Sequence, residues 1–85
     1  MTSWDDYWKT FDLLIDELEE AGQGQIINEL KDVKRYVNGM TDGWFDFKTG
    51  MEKTLKLNKT KMTADQVGIL NELIEALTDS LNRRG

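Results

Sequence analysis

Asp12, Asp16 and Glu19 stand at i, i+4 and i+7, a spacing that puts three carboxylates on one side of an α-helix. Oxygen ligands suit a hard cation such as Ca²⁺ or Mg²⁺, but carboxylates strung along one exposed helix do not enclose an ion, and no twelve-residue Ca²⁺-binding loop accompanies them. The helical di-iron pattern fails too, because it needs Glu-x-x-His and the chain has no His. With neither His nor Cys in 85 residues, thiol nucleophiles, Ser-His-Asp triads, structural zinc, disulfides and His-based pH switching are all excluded from the chain itself. Catalysis is left with carboxylates, lysines, Tyr7, Tyr36 and hydroxyls. Every acid falls on a polar helix face, where nothing desolvates or pairs it into an acid or base role. The glycines at 22, 24, 39, 43, 50, 68 and 85 make no phosphate-cradling pattern. The expectation is a protein that is not an enzyme and carries no metal or cofactor.

Two charged tracts remain for binding. Asp5, Asp12, Asp16 and Glu19 form an acidic strip within about 60° on one flank of the first helix. Such a strip is a solvated face, or is neutralised inside the fold by lysines, or docks a basic partner whose encounter it accelerates. Lys48, Lys53, Lys56, Lys59 and Lys61 form the second tract, directly after Trp44, Phe45 and Phe47. Basic side chains beside stacking rings hold single-stranded nucleic acid. Here the run contains no arginine, the chain carries a net charge of -5 and its pI is near 4.6, all unlike a nucleic-acid domain. The total hides an uneven distribution: residues 1–32 carry -7, 33–47 are neutral, 48–62 carry +4 and 63–85 carry -2.

Helices must position these tracts. Trp4, Tyr7, Trp8, Phe11, Leu14, Ile15, Leu18 and Ala21 fall within about 140° at 100° per residue, a core-facing stripe that Ser3 opens as N-cap and Gly22 closes. Ile26, Ile27, Leu30, Val33 and Val37 predict a second helix over about 25–38, with Tyr36 and Met40 at its edge and Gly39 as its stop. So short a link makes the first two helices an antiparallel hairpin. Trp44, Phe47, Met51 and Leu55 predict a third helix over about 43–57, with Thr41 or Asp42 as N-cap. Against it stand Gly50, which costs on the order of 1 kcal/mol in a helix interior, and Phe45, which points off the stripe. A short strand or irregular aromatic turn over Trp44–Phe47 is the competing reading, though a lone strand would have no sheet to join. A loop over 58–62 leads to the fourth helix, about 63–83, where Thr63 and Gln66 have capping-box spacing and Val67, Leu70, Leu73, Ile74, Leu77 and Leu81 form the apolar side. Its outward Asp65, Glu72, Glu75 and Asp79 would repel phosphate, which excludes a DNA-recognition helix.

The sequence therefore predicts one all-α domain over 1–85, a compact antiparallel bundle of three to four helices. No apolar run approaches the roughly 18–20 residues of a membrane span and Met1–Asp6 is no signal peptide, so a cytoplasmic protein is expected and the sequon Asn58-Lys59-Thr60 carries no meaning. The functional expectation is protein binding, with Asp5, Asp12, Asp16 and Glu19 as electrostatic face and Trp44 and Phe45 as apolar anchor. One version is an acidic neutraliser of a basic protein, as an immunity protein or antitoxin would be, by analogy of size and charge alone. The alternatives are a homodimer sharing Trp4, Tyr7, Trp8 and Phe11 across a two-fold interface, and weak nucleic-acid binding through Lys48–Lys61.

Overall fold

The computed structural model describes residues 3–37, 39 and 41–84, which form α1 (Trp4–Glu20), α2 (Gly24–Lys34), α3 (Thr41–Asn58), a single 3-10 turn (Lys59–Lys61) and α4 (Ala64–Arg84), with no strand among the described residues. The end signals act as their residue types require. Ser3 holds an extended backbone and its Oγ accepts from the Asp6 N–H at 3.2 Å. At the other end Gly22 takes φ +72°, so that its N–H reaches Glu19 O at 3.1 Å and the Gln23 N–H reaches Leu18 O at 2.9 Å. That paired return satisfies two orphan carbonyls and turns the chain straight into α2.

The second helix is shorter than the expected 25–38. Beyond Lys34, the N–H groups of Arg35, Tyr36 and Val37 donate to carbonyls three residues back, on Asp32, Val33 and Lys34, at 3.0–3.2 Å. The chain tightens out of α geometry while Val37 still packs against the core, so apolar periodicity outlasts the helix. Gly39 then takes φ +85°, and Asn38 and Met40 lie outside the described residues.

The third helix begins at Thr41, so Thr41 and Asp42 are helical rather than caps, and Trp44–Phe47 is helical rather than extended. It also runs on through Asn58, which the sequence assigns to the loop. Gly50 has a packing reason: a Cβ built there would lie 2.7 Å from Val33 Cβ and nearer still to Val33 Cγ1. The backbones of α2 and α3 approach closely because position 50 has no side chain. In the fourth helix the capping box closes reciprocally, Thr63 N–H to Gln66 Oε1 at 3.0 Å and Gln66 N–H to Thr63 Oγ1 at 3.2 Å.

The helices pack as an antiparallel ring, α1 against α2 and α4, and α3 against α2 and α4. The core joins Tyr7, Phe11, Leu14 and Leu18 to Ile26 and Leu30, Phe47 and Met51, Met62, and Leu70, Leu73, Leu77 and Leu81. The radius of gyration, 12.3 Å, is close to the roughly 12 Å of a compact chain of this length. No helix among the described residues is long and apolar enough to cross a membrane.

Candidate functional site: the aromatic end and the acidic flank

The antiparallel topology brings the start of α1, the end of α2 and the start of α3 to one end of the bundle. Seven of the chain's eight aromatic residues lie on α1 and α3 at this end, and the eighth, Tyr36, lies in the turn just after α2. Trp4 and Trp8 stand one turn apart on α1, and Trp44 from α3 packs against both. Its ring stacks on Trp4 at 4.7 Å and on Trp8 at 6.0 Å, each at 29°. Beneath lie Phe11 and Phe47, 6.1 Å apart, and Tyr7 meets Trp4 and Trp8 edge-on at 5.3 Å. Offset and edge-to-face pairs of this kind add to simple area burial. The Lys34 ammonium crosses from α2 and sits 4.7 Å over Trp8 and 5.3 Å from Phe11, a cation–π contact.

Within this assembly Tyr7 and Phe11 are core residues, each 2% exposed, so a dimer that shares them across a two-fold face would need them twice. The Tyr7 hydroxyl donates to Leu73 O at 3.0 Å, and burial pushes its pKa well above the ordinary phenol value. It is a structural phenol. Trp44 is half-buried in the stack rather than a free anchor, whereas Phe45 is 47% exposed and makes no ring contact among the described residues. Trp4 at 38% and Tyr36 at 53% are the other exposed rings of this end.

Asp5, Asp12, Asp16 and Glu19 are all exposed, and none forms an ion pair among the described residues. The pairs present lie elsewhere, Asp32 with Arg35 at 3.7 Å and Lys48 with Glu52 at 3.4 Å. Internal neutralisation of the strip by the lysine run does not occur in these residues. No group of three or more acidic side chains among the described residues converges as a metal site.

The structure separates the far lysines from the rings, while Lys48 stays one turn from Trp44 and pairs with Glu52. Fifteen residues of near-continuous helix divide Trp44 from Lys59, about 22 Å along the axis, so Lys56, Lys59 and Lys61 belong to the opposite end of the bundle. Some of them line a shallow open groove of about 380 Å³ between α3 and α4, with Glu52, Leu55, Asn71 and Ile74. Asn58, at the same end, is buried and its Nδ2 donates to Glu29 Oε2 and Thr54 O, each at 2.8 Å. The sequon asparagine is thus a tie between α2 and α3.

Sequence reasoning places Trp4 and Trp8 on one stripe but misses that both pack against Trp44 and that Lys34 covers Trp8. The i, i+4 spacing of the two tryptophans was the visible signal; which ring packs against them depends on how α3 docks. Comparison of the chain with known protein families, characterised proteins and solved structures finds no match.

Proposed function

We propose that this protein acts by binding a basic protein partner rather than by chemistry, with the acidic flank of α1 as its electrostatic face and the aromatic end as its apolar anchor. One observation carries the reading: four exposed carboxylates on one helix flank have no ion-pair partner among the chain's described residues. Exposed charge of one sign costs self-repulsion within the fold and speeds encounter with charge of the other sign. Phe45, exposed at the ring-rich end, is the kind of side chain in which binding energy concentrates. By analogy of size and charge, neutralisation of a basic toxin by an immunity protein or antitoxin is one form such binding takes.

The test is capture of a partner from the source cells on the immobilised protein, followed by association kinetics on the purified pair. The captured partner should be basic, and its on-rate should fall steeply as salt is raised. Replacing Asp12, Asp16 and Glu19 together by Asn, Asn and Gln should slow association about ten-fold at low salt while dissociation changes little. Phe45→Ala should instead speed dissociation by about ten-fold. An on-rate that is indifferent to the triple substitution refutes the electrostatic face.

A further inference from the structure

The rings and the acids of α1 share a flank. Around the helix, Trp4, Trp8, Asp12 and Asp5 fall within about 100°, so the tryptophan edge of the stack and the start of the acidic strip form one surface. Aromatic faces attract cations through their quadrupole, and adjacent carboxylates hold the same cations by charge. The fold already demonstrates the first half, because the Lys34 ammonium lies over Trp8 with no carboxylate paired to it among the described residues. Trp4, at the outer end of the Trp4–Trp44–Trp8 stack, remains 38% exposed.

From this juxtaposition we infer that the Trp4–Trp44–Trp8 stack is a cation-reading platform that receives an arginine side chain of the basic partner, with Asp5 and Asp12 beside it. The inference rests on the protein-binding reading above and specifies what the partner presents. Arginine fits better than lysine: its planar guanidinium stacks flat on an indole and is less strongly hydrated than an ammonium, so it gives up less water to do so. Lys34 marks the inner limit of the site, holding the Trp8 face from within the chain and leaving Trp4 for the incoming group.

Acetylated octa-arginine and octa-lysine peptides are the probes, titrated at low salt into the wild-type protein and variants by calorimetry, with circular dichroism confirming that each variant is folded. The wild type should bind octa-arginine about three-fold more tightly than octa-lysine, and Trp4→Leu should remove that preference. Lys34→Ala and Lys31→Ala make the same charge change on the same helix, but only the first uncovers a ring. Lys34→Ala should therefore strengthen octa-arginine binding by about three-fold more than Lys31→Ala. A preference for arginine that survives Trp4→Leu, or equal effects of the two lysine substitutions, overturns the ring platform and leaves the acidic face standing. If neutralising Asp12, Asp16 and Glu19 changes the affinity of neither peptide, the acidic face itself is what fails.

Discussion

Gly50→Ala sets two effects of known sign against each other. In an exposed helix interior the substitution gains about 1 kcal/mol, because Ala confines the unfolded chain and forms helix more readily. Here the added methyl would stand 2.7 Å from Val33 Cβ, where carbon atoms rest comfortably at about 3.5–4.0 Å. Val33 cannot turn away, since its Cβ is fixed to the α2 backbone, so the helices must separate by roughly 1 Å around this point. Overpacking of that kind costs about 1–3 kcal/mol. At the upper end of that range, which a backbone-borne clash warrants, the net loss is about 1–2 kcal/mol, or a fall in Tm of about 4–8 °C per kcal/mol. Urea unfolding followed by circular dichroism at 222 nm measures it directly. The decisive comparison is the same substitution in a Val33→Gly background, where the obstructing side chain is gone and Gly50→Ala should stabilise. Were Gly50→Ala to stabilise the otherwise unaltered protein, the close approach of α2 and α3 would be refuted, and position 50 would be an ordinary helix site.

Two further outcomes test the buried polar ties. Tyr7 has its pKa raised by burial, so its contribution to stability is complete below the ordinary phenol value of about 10 and is lost as pH rises beyond it; urea midpoints should decline from pH 10 upward, and Tyr7→Phe, about 1 kcal/mol less stable at pH 7, should flatten that decline. Asn58→Asp removes the donor that serves both Glu29 Oε2 and Thr54 O and sets a carboxylate against Glu29, so it should cost about 2–3 kcal/mol at pH 7 in urea unfolding, of which Glu29→Gln should recover only the part due to the carboxylate pair; a loss that Glu29→Gln leaves unchanged would contradict the contact.

The features legible in the sequence are those governed by a few neighbouring residues. Ser3, Gly22 and the Thr63–Gln66 box each act within a turn of their own position, so residue type alone announces them. Features that depend on a second helix were misread or missed. Gly50 counts against a helix until Val33 is seen across from it, and Asn58 looks like a loop residue until Glu29 supplies a partner for its buried amide. The end of α2 fails for another reason: Val37 keeps the apolar period after the hydrogen bonds have shortened to three residues, and periodicity reports burial rather than bonding. The candidate site divides the same way. Exposure of Asp5, Asp12, Asp16, Glu19 and Phe45 follows from helix geometry, whereas the packing of Trp44 against Trp4 and Trp8 is a product of tertiary docking.

Charge and aromatic surface therefore do different jobs in the proposed encounter, and length scales decide the division. The bundle is 37 Å long, while the Debye length at physiological salt is about 8 Å. The lysines around 56–61, some 20 Å along α3 from the rings, are screened from whatever sits on Trp4 and Trp8, and the net charge of -5 says little about the field a partner meets there. What acts at close range is the near end of the strip, with Asp5 next to Trp4 in sequence and Asp12 one turn from Trp8, whereas Asp16 and Glu19 lie about 12 and 16 Å along α1 from Trp8. Carboxylates on an exposed helix speed the approach of basic proteins and turn away acidic ones. Selection among basic partners is strengthened by groups that reward one geometry over another, and in the proposed encounter the indole stack has that role, with Trp4 exposed for a flat cation and Lys34 already over Trp8. On that argument salt should govern how fast a partner arrives, and substitutions at Trp4 and Phe45 should govern how long it stays.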